Sequence, residues 1–526
     1  MIESVVPRRL ERNKTVEMEK DVIKDSQDNN NSVNNKSLID NFRPKLNTYK
    51  KYEYLNPFVY DDSVNPFDNP LEKYKIYAMT VLLVPIRAIG IVVSLLVAYM
   101  FATIGQFGCD IHEKPLTGWR YVFQQLTANS MRQIYASGSL HYLKVIGKQA
   151  SFKEAPLLVI APHSTFVDSL SVIAMGPPSI VAKQDTADIP LFGKIVNYAQ
   201  PIYVRREDPN SRQNTIKQIL ERVNSKEDWP QTAIFPEGTC TNRKALITFK
   251  GGAFFPGVPV QPVILRYNNK FDSLTWTWKG PSILNLLWIT LSQFYTKVEM
   301  EYLPVYKPTE NEIKNPKLFA DNVRSVMAKA LNLPVSDYSI EDCFFLQEAT
   351  NMKTPFSEDI VEIERCLNKL LLIATKIDES IASQLSKNEN NFVDILVFSK
   401  MLSIDHKAEY TQRLFSLLRP NLEEKIDLKD FVLCSFFIKK VNNPIIDFLR
   451  LVVQIYCISE TEISREQFSS ILKHCHRLKE DSFNKIFLAI DHCNKGHISF
   501  EEFVSYTKDK PQYKFLFKDK NHIRRR

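Results

Sequence analysis

A histidine and an aspartate stand five positions apart in Ala161-Pro162-His163-Ser164-Thr165-Phe166-Val167-Asp168, directly after the apolar run Leu157–Ala161. On one continuous helix five residues turn through about 500°, so the two side chains would diverge. They meet if His163 lies in a turn and Asp168 in the first helical turn after it, with Ser164 or Thr165 as N-cap. A carboxylate on one imidazole nitrogen then leaves the other free as a base. This is the outer half of a triad without a protein nucleophile, so the nucleophile would be a substrate hydroxyl. Alone, the same pair also reads as a structural histidine beside a helix-capping aspartate.

Three further clusters follow. Gly193-Lys194-Ile195 leads to Pro201-Ile202-Tyr203-Val204-Arg205-Arg206, which brings cations to a strand end where they could hold a phosphate. Phe235-Pro236-Glu237-Gly238-Thr239-Cys240-Thr241-Asn242-Arg243 runs from a strand into a polar loop suited to substrate contact. Gly257-Val258-Pro259-Val260-Gln261-Pro262-Val263 is an apolar strand edged by prolines. Each also has an ordinary reading: a surface cation pair, a turn, an edge strand.

The elements that must position these residues are short apolar runs separated by turns and helical stretches. Leu157–Ala161, Ser179–Lys183, Pro201–Arg205, Thr232–Phe235, Val260–Leu265 and Lys297–Val305 are expected to be strands. Arg212–Ser225 is expected to be an amphipathic helix with Ile216, Ile219, Leu220 and Val223 on one face. Alternating strands and helices imply an α/β domain with a mixed sheet.

Upstream, Ile76 to Gly105 carries a single charge, Arg87. A membrane-crossing helix needs roughly 20 apolar residues. Pro85 and Gly90 offer break points, which leaves a kinked span or a hairpin returning to the same face; the hairpin is favoured, because no later run is long enough for a second span. The run Ile283–Tyr295 is too short to cross. Residues 119–148, with Trp119, Tyr121, Tyr135, Tyr142 and several cations, suit a membrane interface or an ordinary surface helix. Residues 1–55 are polar and Asn-rich and are expected to be disordered. Residues 56–75, with Asn56-Pro57-Phe58 and Asn65-Pro66-Phe67, are expected to be a turn-rich lead-in acting as a linker.

Among the 526 residues, Lys and Arg outnumber Asp and Glu by 68 to 60, with the signs mixed throughout. That argues against a nucleic-acid binder and fits a protein on an anionic membrane face. The 8 cysteines form no CxxC pair and are read as reduced thiols facing the cytosol.

Together, in this order and after a membrane segment, the four clusters resemble the glycerolipid acyltransferases that use acyl-CoA and glycerophospholipids. Closer still is the lysophosphatidylcholine acyltransferase branch of the 1-acyl-glycerol-3-phosphate acyltransferase family. Its likeness rests on Ala161–Phe166, Phe235–Arg243, Thr275-Trp276-Thr277-Trp278, Leu333-Pro334-Val335-Ser336-Asp337-Tyr338 and Glu341-Asp342-Cys343. Leu83-Val84-Pro85-Ile86-Arg87 and Thr117-Gly118-Trp119-Arg120 are similar too. The resemblance implies an α/β acyltransferase domain at 106–330, a membrane-embedded helical segment or hairpin at 76–105, a connector at 331–360 and an all-α EF-hand-like domain at 361–510, with a basic tail at 511–526.

It implies that His163 deprotonates the sn-2 hydroxyl of a lysophospholipid, chiefly lysophosphatidylcholine, and that Asp168 orients it. The oxygen attacks the acyl-CoA thioester, so the chemistry needs neither a metal nor an acyl-enzyme. Arg206 resembles the family's phosphate-contacting arginine, with Arg205 beside it. Glu237, Gly238 and Thr239 match the acceptor-binding loop; Pro259 and Pro262 match the fourth block, near the acyl chain. The partners implied are these two substrates and a phospholipid membrane, with location in the endoplasmic reticulum and the Golgi or lipid droplets as other sites.

Three stretches of the last third resemble EF-hands. Asp491 to Glu502 has Asp491 at position 1, Gly496 at 6 and Glu502 at 12, with Asn494 between. Cys493 and Lys495 stand where oxygen ligands belong. Arg419–Asp430 starts on a cation, and the stretch around Ile463 lacks ligands. Calcium is therefore expected to bind weakly or not at all. Two other readings stay open: acylation of lysophosphatidic acid or glycerol phosphate, suited by paired Arg205 and Arg206, and a non-catalytic membrane scaffold. A hydrolase is disfavoured because no Gly-x-Ser-x-Gly elbow is present.

Overall fold

The computed structural model describes residues 56–61, 66–108, 110–176, 178–204, 210–372, 385, 391–439, 444–457, 460–475 and 478–518. The expected disordered segment 1–55, Arg205, Arg206, Cys109 and residues 519–526 of the basic tail lie outside the described residues.

Seven strands build the central sheet: β1 (Tyr142–Ile146), β2 (Leu157–Ala161), β3 (Ser179–Lys183), β4 (Ile202–Val204), β5 (Thr232–Ile234), β6 (Val260–Arg266) and β7 (Lys297–Tyr302). Their order is β1-β7-β6-β2-β5-β3-β4. From β6 to β4 all neighbours are parallel. β7 joins β6 antiparallel and β1 lies parallel to β7, which makes the sheet mixed. The unbroken apolar run of β2 is buried on both faces, as a central parallel strand requires.

Helices of the N-terminal and sheet regions are α1 (Pro70–Leu82), α2 (Val84–Gly105), α3 (Gly118–Ser137), α4 (Ser169–Ala174), α5 (Phe192–Tyr198), α6 (Ser211–Asn224), α7 (Ile283–Leu291), α8 (Glu310–Lys314) and α9 (Pro316–Leu331). Leu157, Val159 and Ala161 of β2 pack with Phe319, Val323 and Met327 of α9, whose four-residue spacing puts them on one helix face. Leu158 and Ile160 point the other way, to Val172, Val263 and Met300. Each Leu, Ile, Val, Phe or Met side chain among these contributes roughly 1.5–3 kcal/mol when fully buried.

Among the described residues α2 is the one helix long and apolar enough to cross a membrane. The chain does not reverse within 76–105. Only Leu83 separates α1 from α2, just ahead of Pro85, whose ring removes a helical N–H. Gly90 is no break: a Cβ there would press on Ser137 at the far end of α3. The reversal comes after Gly105, and α3 returns antiparallel, with Phe101 against Phe123 at 5.8 Å.

Both ends of α2 are tied to the sheet domain. Near its start, the Arg87 guanidinium donates to the carbonyls of Leu291, Gln293 and Phe294 at the end of α7. At its finish, Gln106 Nε2 donates to the Lys194 carbonyl of α5 at 2.9 Å, and Gly105 abuts the Tyr198 ring.

The described residues of the lead-in, 56–61 and 66–75, include side chains built into the fold. Phe58 is fully buried and meets Tyr338 edge to face at 5.8 Å. Phe67 stacks on Trp288. Phe58 and Phe67 thus serve as apolar anchors, which their polar neighbours in the sequence concealed.

Among the described residues, the α-helices that follow are α10 (Ile340–Asn351), α11 (Ile360–Lys369), α12 (Ile395–Leu402), α13 (Glu409–Leu417), α14 (Leu428–Lys439), α15 (Ile445–Tyr456), α16 (Arg465–Leu472), α17 (Glu480–Ile490) and α18 (Phe500–Lys508). Between them, the two-residue strands β8 (Phe392–Val393) and β9 (Ile426–Asp427) pair antiparallel, as do β10 (Ile463–Ser464) and β11 (His497–Ile498). The expected connector 331–360 belongs to this region's interior: Cys343, Phe345, Leu346, Ala349 and Met352 of α10 and its end share one core with Phe58, Ile247 and the C-terminal helices.

Candidate active site

His163 leaves the end of β2 in a turn that Thr165 caps. The Thr165 hydroxyl accepts from Val167 N–H, and the Asp168 carboxylate reaches back to the Thr165 N–H at 3.1 Å. This capping box is the local device that folds five residues back on themselves. His163 Nδ1 lies 2.7 Å from Asp168 Oδ2, which also accepts from Ser164 N–H at 2.8 Å. The Tyr267 hydroxyl donates to Oδ1. A buried carboxylate ringed by donors only accepts, so Nδ1 carries the proton and Nε2 presents its lone pair.

Every other handle on His163 is held. Its N–H donates to Glu237 Oε2 at 2.6 Å, and its carbonyl accepts from Thr241 N–H at 2.8 Å. Its ring packs on Phe235 with centroids 4.5 Å apart. Cys240 Sγ faces Nε2 at 3.6 Å. The side chain keeps 25% of its surface exposed, against 1% for Asp168. Burial disfavours the charged imidazolium, yet Cys240 and Asp168 outweigh it and hold His163 well above its usual value. Burial likewise pushes Glu237 up to about 7, against the pull of two amide donors.

Glu237 is not at the surface of its loop. It is fully buried, with Oε1 on Ile247 N–H and Oε2 on His163 N–H, so it grips the backbone of the site. Gly238 takes φ +70°, a conformation L side chains avoid, and Ile340 of α10 fills the space beside it. Thr239 points its hydroxyl to Cys343 Sγ at 4.0 Å. Asn242 is strapped down by the lead-in: its Nδ2 donates to the carbonyls of Asn56 at 2.9 Å and Val59 at 3.0 Å. Arg243 pairs with Asp272 at 2.8 Å and lies over the Tyr267 ring.

The sheet register separates the fourth block from this site. Pro262 pairs with Val159, four residues before His163, and Val260 pairs with Leu157. At about 3.3 Å per residue, Pro262 lies about 13 Å along the strand from His163, and Pro259 lies further off. The carboxyl end of β6 is what reaches the site, through Tyr267. Sequence reasoning missed Tyr267, although ligands gather at the carboxyl ends of parallel strands and Tyr267 follows one directly. It also missed the lead-in strap, for which no chemical signal exists.

In the last loop, Asp491 accepts from the N–H groups of Lys495 and Gly496 at 2.7 and 2.9 Å. The Lys495 ammonium sits 3.4 Å from Glu502. Arg419 turns away to Asp359 at 3.0 Å. Among the described residues no group of three or more His, Cys, Asp or Glu could hold a metal ion.

The acyltransferase family model, described as "Acyltransferase", matches residues 142–266, from β1 to the end of β6. Over 482 residues the chain is 52% identical to the lysophosphatidylcholine acyltransferase of Drosophila melanogaster, covering 90% of each chain. It is 38% identical to lysophosphatidylcholine acyltransferase 2 of Danio rerio, covering 88% of each. It is 37% identical to lysophosphatidylcholine acyltransferase 1 of Mus musculus, covering 89% of this chain and 88% of that one.

Proposed function

Because this chain belongs to the lysophosphatidylcholine acyltransferase family, we propose that it moves a fatty acyl group from acyl-CoA to the sn-2 hydroxyl of a lysophospholipid, with lysophosphatidylcholine as the principal acceptor. The observation that carries this reading is the His163–Asp168 pair at 2.7 Å, which engages Nδ1 and leaves Nε2 for the substrate on a side chain that keeps 25% of its surface exposed. Nε2 takes the proton of the acceptor hydroxyl as that oxygen attacks the thioester carbonyl. Asp168 steadies the imidazolium that forms. The imidazolium then protonates the departing CoA thiolate. Coenzyme A leaves readily, so the reaction needs no metal.

Glu237 and Tyr267 are positioning residues in this scheme. One fixes the backbone of His163; the other fixes Asp168. Arg206, with Arg205, is assigned to the acceptor's phosphate on the strength of the sequence resemblance.

The membrane role follows from α2. A helix of 22 residues is about 33 Å long, enough to cross hydrocarbon. With both ends bound to one domain, it lies along that domain and embeds in one leaflet. The chain then works at the cytosolic face of the endoplasmic reticulum.

The C-terminal helices form an EF-hand-like domain. Paired two-residue strands and the Asp491–Gly496 turn support that reading, while Lys495 stands as a cation where calcium would need an oxygen ligand.

The test supplies washed membranes carrying the chain with labelled acyl-CoA. Lysophospholipids bearing choline, ethanolamine, serine or bare phosphate are offered in turn, with calcium and with chelator. The reading predicts acylation, fastest with choline and equal in both calcium series. Acylation only of the bare-phosphate acceptor would overturn the head-group assignment; none at all would overturn the enzyme.

A further inference from the structure

α7 turns an apolar side outward. Leu286, Ile289 and Leu291 are buried, while Ile283, Leu284 and Leu287 are exposed, with Phe294 and Tyr295 exposed just after the helix. α1 lies beside it, with Tyr77 meeting the Trp288 ring at 6.2 Å, and likewise exposes Leu71, Tyr74, Val81 and Leu82.

The polar atoms along this seam pair with one another. Trp288 Nε1 donates to Thr80 Oγ1 at 2.9 Å, and Thr80 Oγ1 donates to the Ile76 carbonyl at 2.7 Å. The carbonyls of Leu291, Gln293 and Phe294, at and just past the end of α7, accept from Arg87. A helix end commonly leaves such carbonyls to water, whereas a setting poor in water demands internal partners. Lysines stand over aromatic rings at the rim: Lys75 Nζ lies 5.7 Å from the Phe294 ring, and Lys297 Nζ lies 5.6 Å from Tyr295 and 5.9 Å from Tyr142. Aromatic rings and lysine stems together suit the headgroup level of a bilayer.

Resting on the reading of α2 as the membrane helix, we infer that α7, with α1 beside it, is an interfacial helix whose outward side lies in the same phospholipid leaflet. Its 9 residues measure about 13.5 Å, too short to cross but suited to lying in the plane of the interface. Asn285 is exposed on the same helix, which headgroup depth accommodates and hydrocarbon does not. The occupant is lipid because the face continues α2: Arg87, in the first turn of α2, grips the end of α7, so the leaflet that takes the one meets the other. The patch also sets how the site faces the leaflet. The Thr290 hydroxyl donates to the Ser273 carbonyl at 2.9 Å, and three residues on the Trp276 N–H donates to the Ser164 carbonyl beside His163 at 2.8 Å.

The test reconstitutes the full chain into phosphatidylcholine vesicles containing a phosphatidylcholine with a diazirine near the carboxyl end of one acyl chain. Light expels nitrogen, and the carbene inserts into whatever lies at that depth. Trypsin, cutting after Lys279 and Lys297, isolates α7 with Phe294 and Tyr295 as peptide 280–297. Cutting after Lys485 and Lys495 isolates 486–495, whose Leu488 is 54% exposed, the same as Phe294. Label is expected on α2 and on 280–297, with 486–495 at the level of a dark control. Leu284 is 74% exposed, so Leu284→Glu disturbs no core. It should bring the labelling of 280–297 down toward that of 486–495, with an unchanged melting temperature in detergent.

Labelled α2 with 280–297 no brighter than 486–495 would overturn the inference and leave the reading of α2 standing. An unlabelled α2 would remove both. Labelling of 280–297 that survives Leu284→Glu undiminished would also overturn it, because the outward side would not be what meets the lipid. If that variant melts early, the comparison of the two peptides in the wild type decides.

Discussion

Removing one oxygen from Tyr267 is expected to slow the enzyme without unfolding it. Its hydroxyl donates to Asp168 Oδ1, while His163 Nδ1, Ser164 N–H and Thr165 N–H gather on Oδ2. Tyr267 is held well above its ordinary value by burial and by Asp168, so it stays a donor across any practical assay range. Tyr267→Phe keeps the ring under Arg243 and deletes only this hydrogen bond. A hydrogen bond to a charged group contributes about 1.5–3 kcal/mol. Since about 1.4 kcal/mol is tenfold in rate, kcat should fall roughly 10- to 100-fold, with KM for the lysophospholipid little changed.

The pH profile separates this from simple damage. With one donor gone, Asp168 attracts the His163 proton more strongly and raises an already elevated imidazole. The base must be neutral to act, so the acid limb of kcat/KM moves to higher pH and part of the lost rate returns there. The groups that face the pair, Cys240, Glu237, Arg243 and the Tyr135 hydroxyl, are unchanged by the substitution. A kcat within twofold of wild type, or an equal loss at every pH, would refute the reasoning.

Other outcomes follow from the same contacts. Glu237 is raised on folding from 4.5 to about 7, so the folded chain binds a proton that the unfolded chain releases. Its contribution is fully present below about pH 4.5 and lost as pH climbs through about 7, on the order of 3 kcal/mol. Thermal denaturation should show a pH slope in that window, flattened in Glu237→Gln; parallel slopes would contradict it. Phe58→Ala empties a fully buried site and should cost about 3–5 kcal/mol, lowering the melting temperature and, through Asn242, the activity. A surface-like loss below about 0.5 kcal/mol would mean the strap is not engaged. Glycosylation acceptor sequences placed just before Pro70 and between Glu113 and Lys114 should report the same side of the membrane. Opposite sides would make α2 a true span.

Much of the sheet was readable because burial leaves a plain signature. Leu157–Ala161 is apolar throughout, and the turn that would let His163 and Asp168 meet is the one that forms. The helix Pro316–Leu331 announces itself by a proline at its start and four-residue apolar spacing. β1 escaped notice because Tyr142–Ile146 is a half-exposed edge strand with a lysine at its centre.

What stayed hidden depends on tertiary contact. Glu237 in a polar loop reads as a ligand for substrate. Only the fold shows both oxygens spent on backbone amides. Tyr267 looks like the residue after a strand, and parallel register alone carries it to Asp168. Gly90 reads as a break point in an apolar run, yet it is the place where α3 comes close.

The central claim is that His163 is the base for acyl transfer to a lysophospholipid hydroxyl. Its most direct measurement compares initial rates of wild type and His163→Ala at equal expression in washed membranes, with labelled acyl-CoA and lysophosphatidylcholine. The account predicts loss of roughly 100-fold or more in kcat for the variant, with acceptor binding retained. A variant that transfers acyl groups within a few-fold of wild type would contradict it.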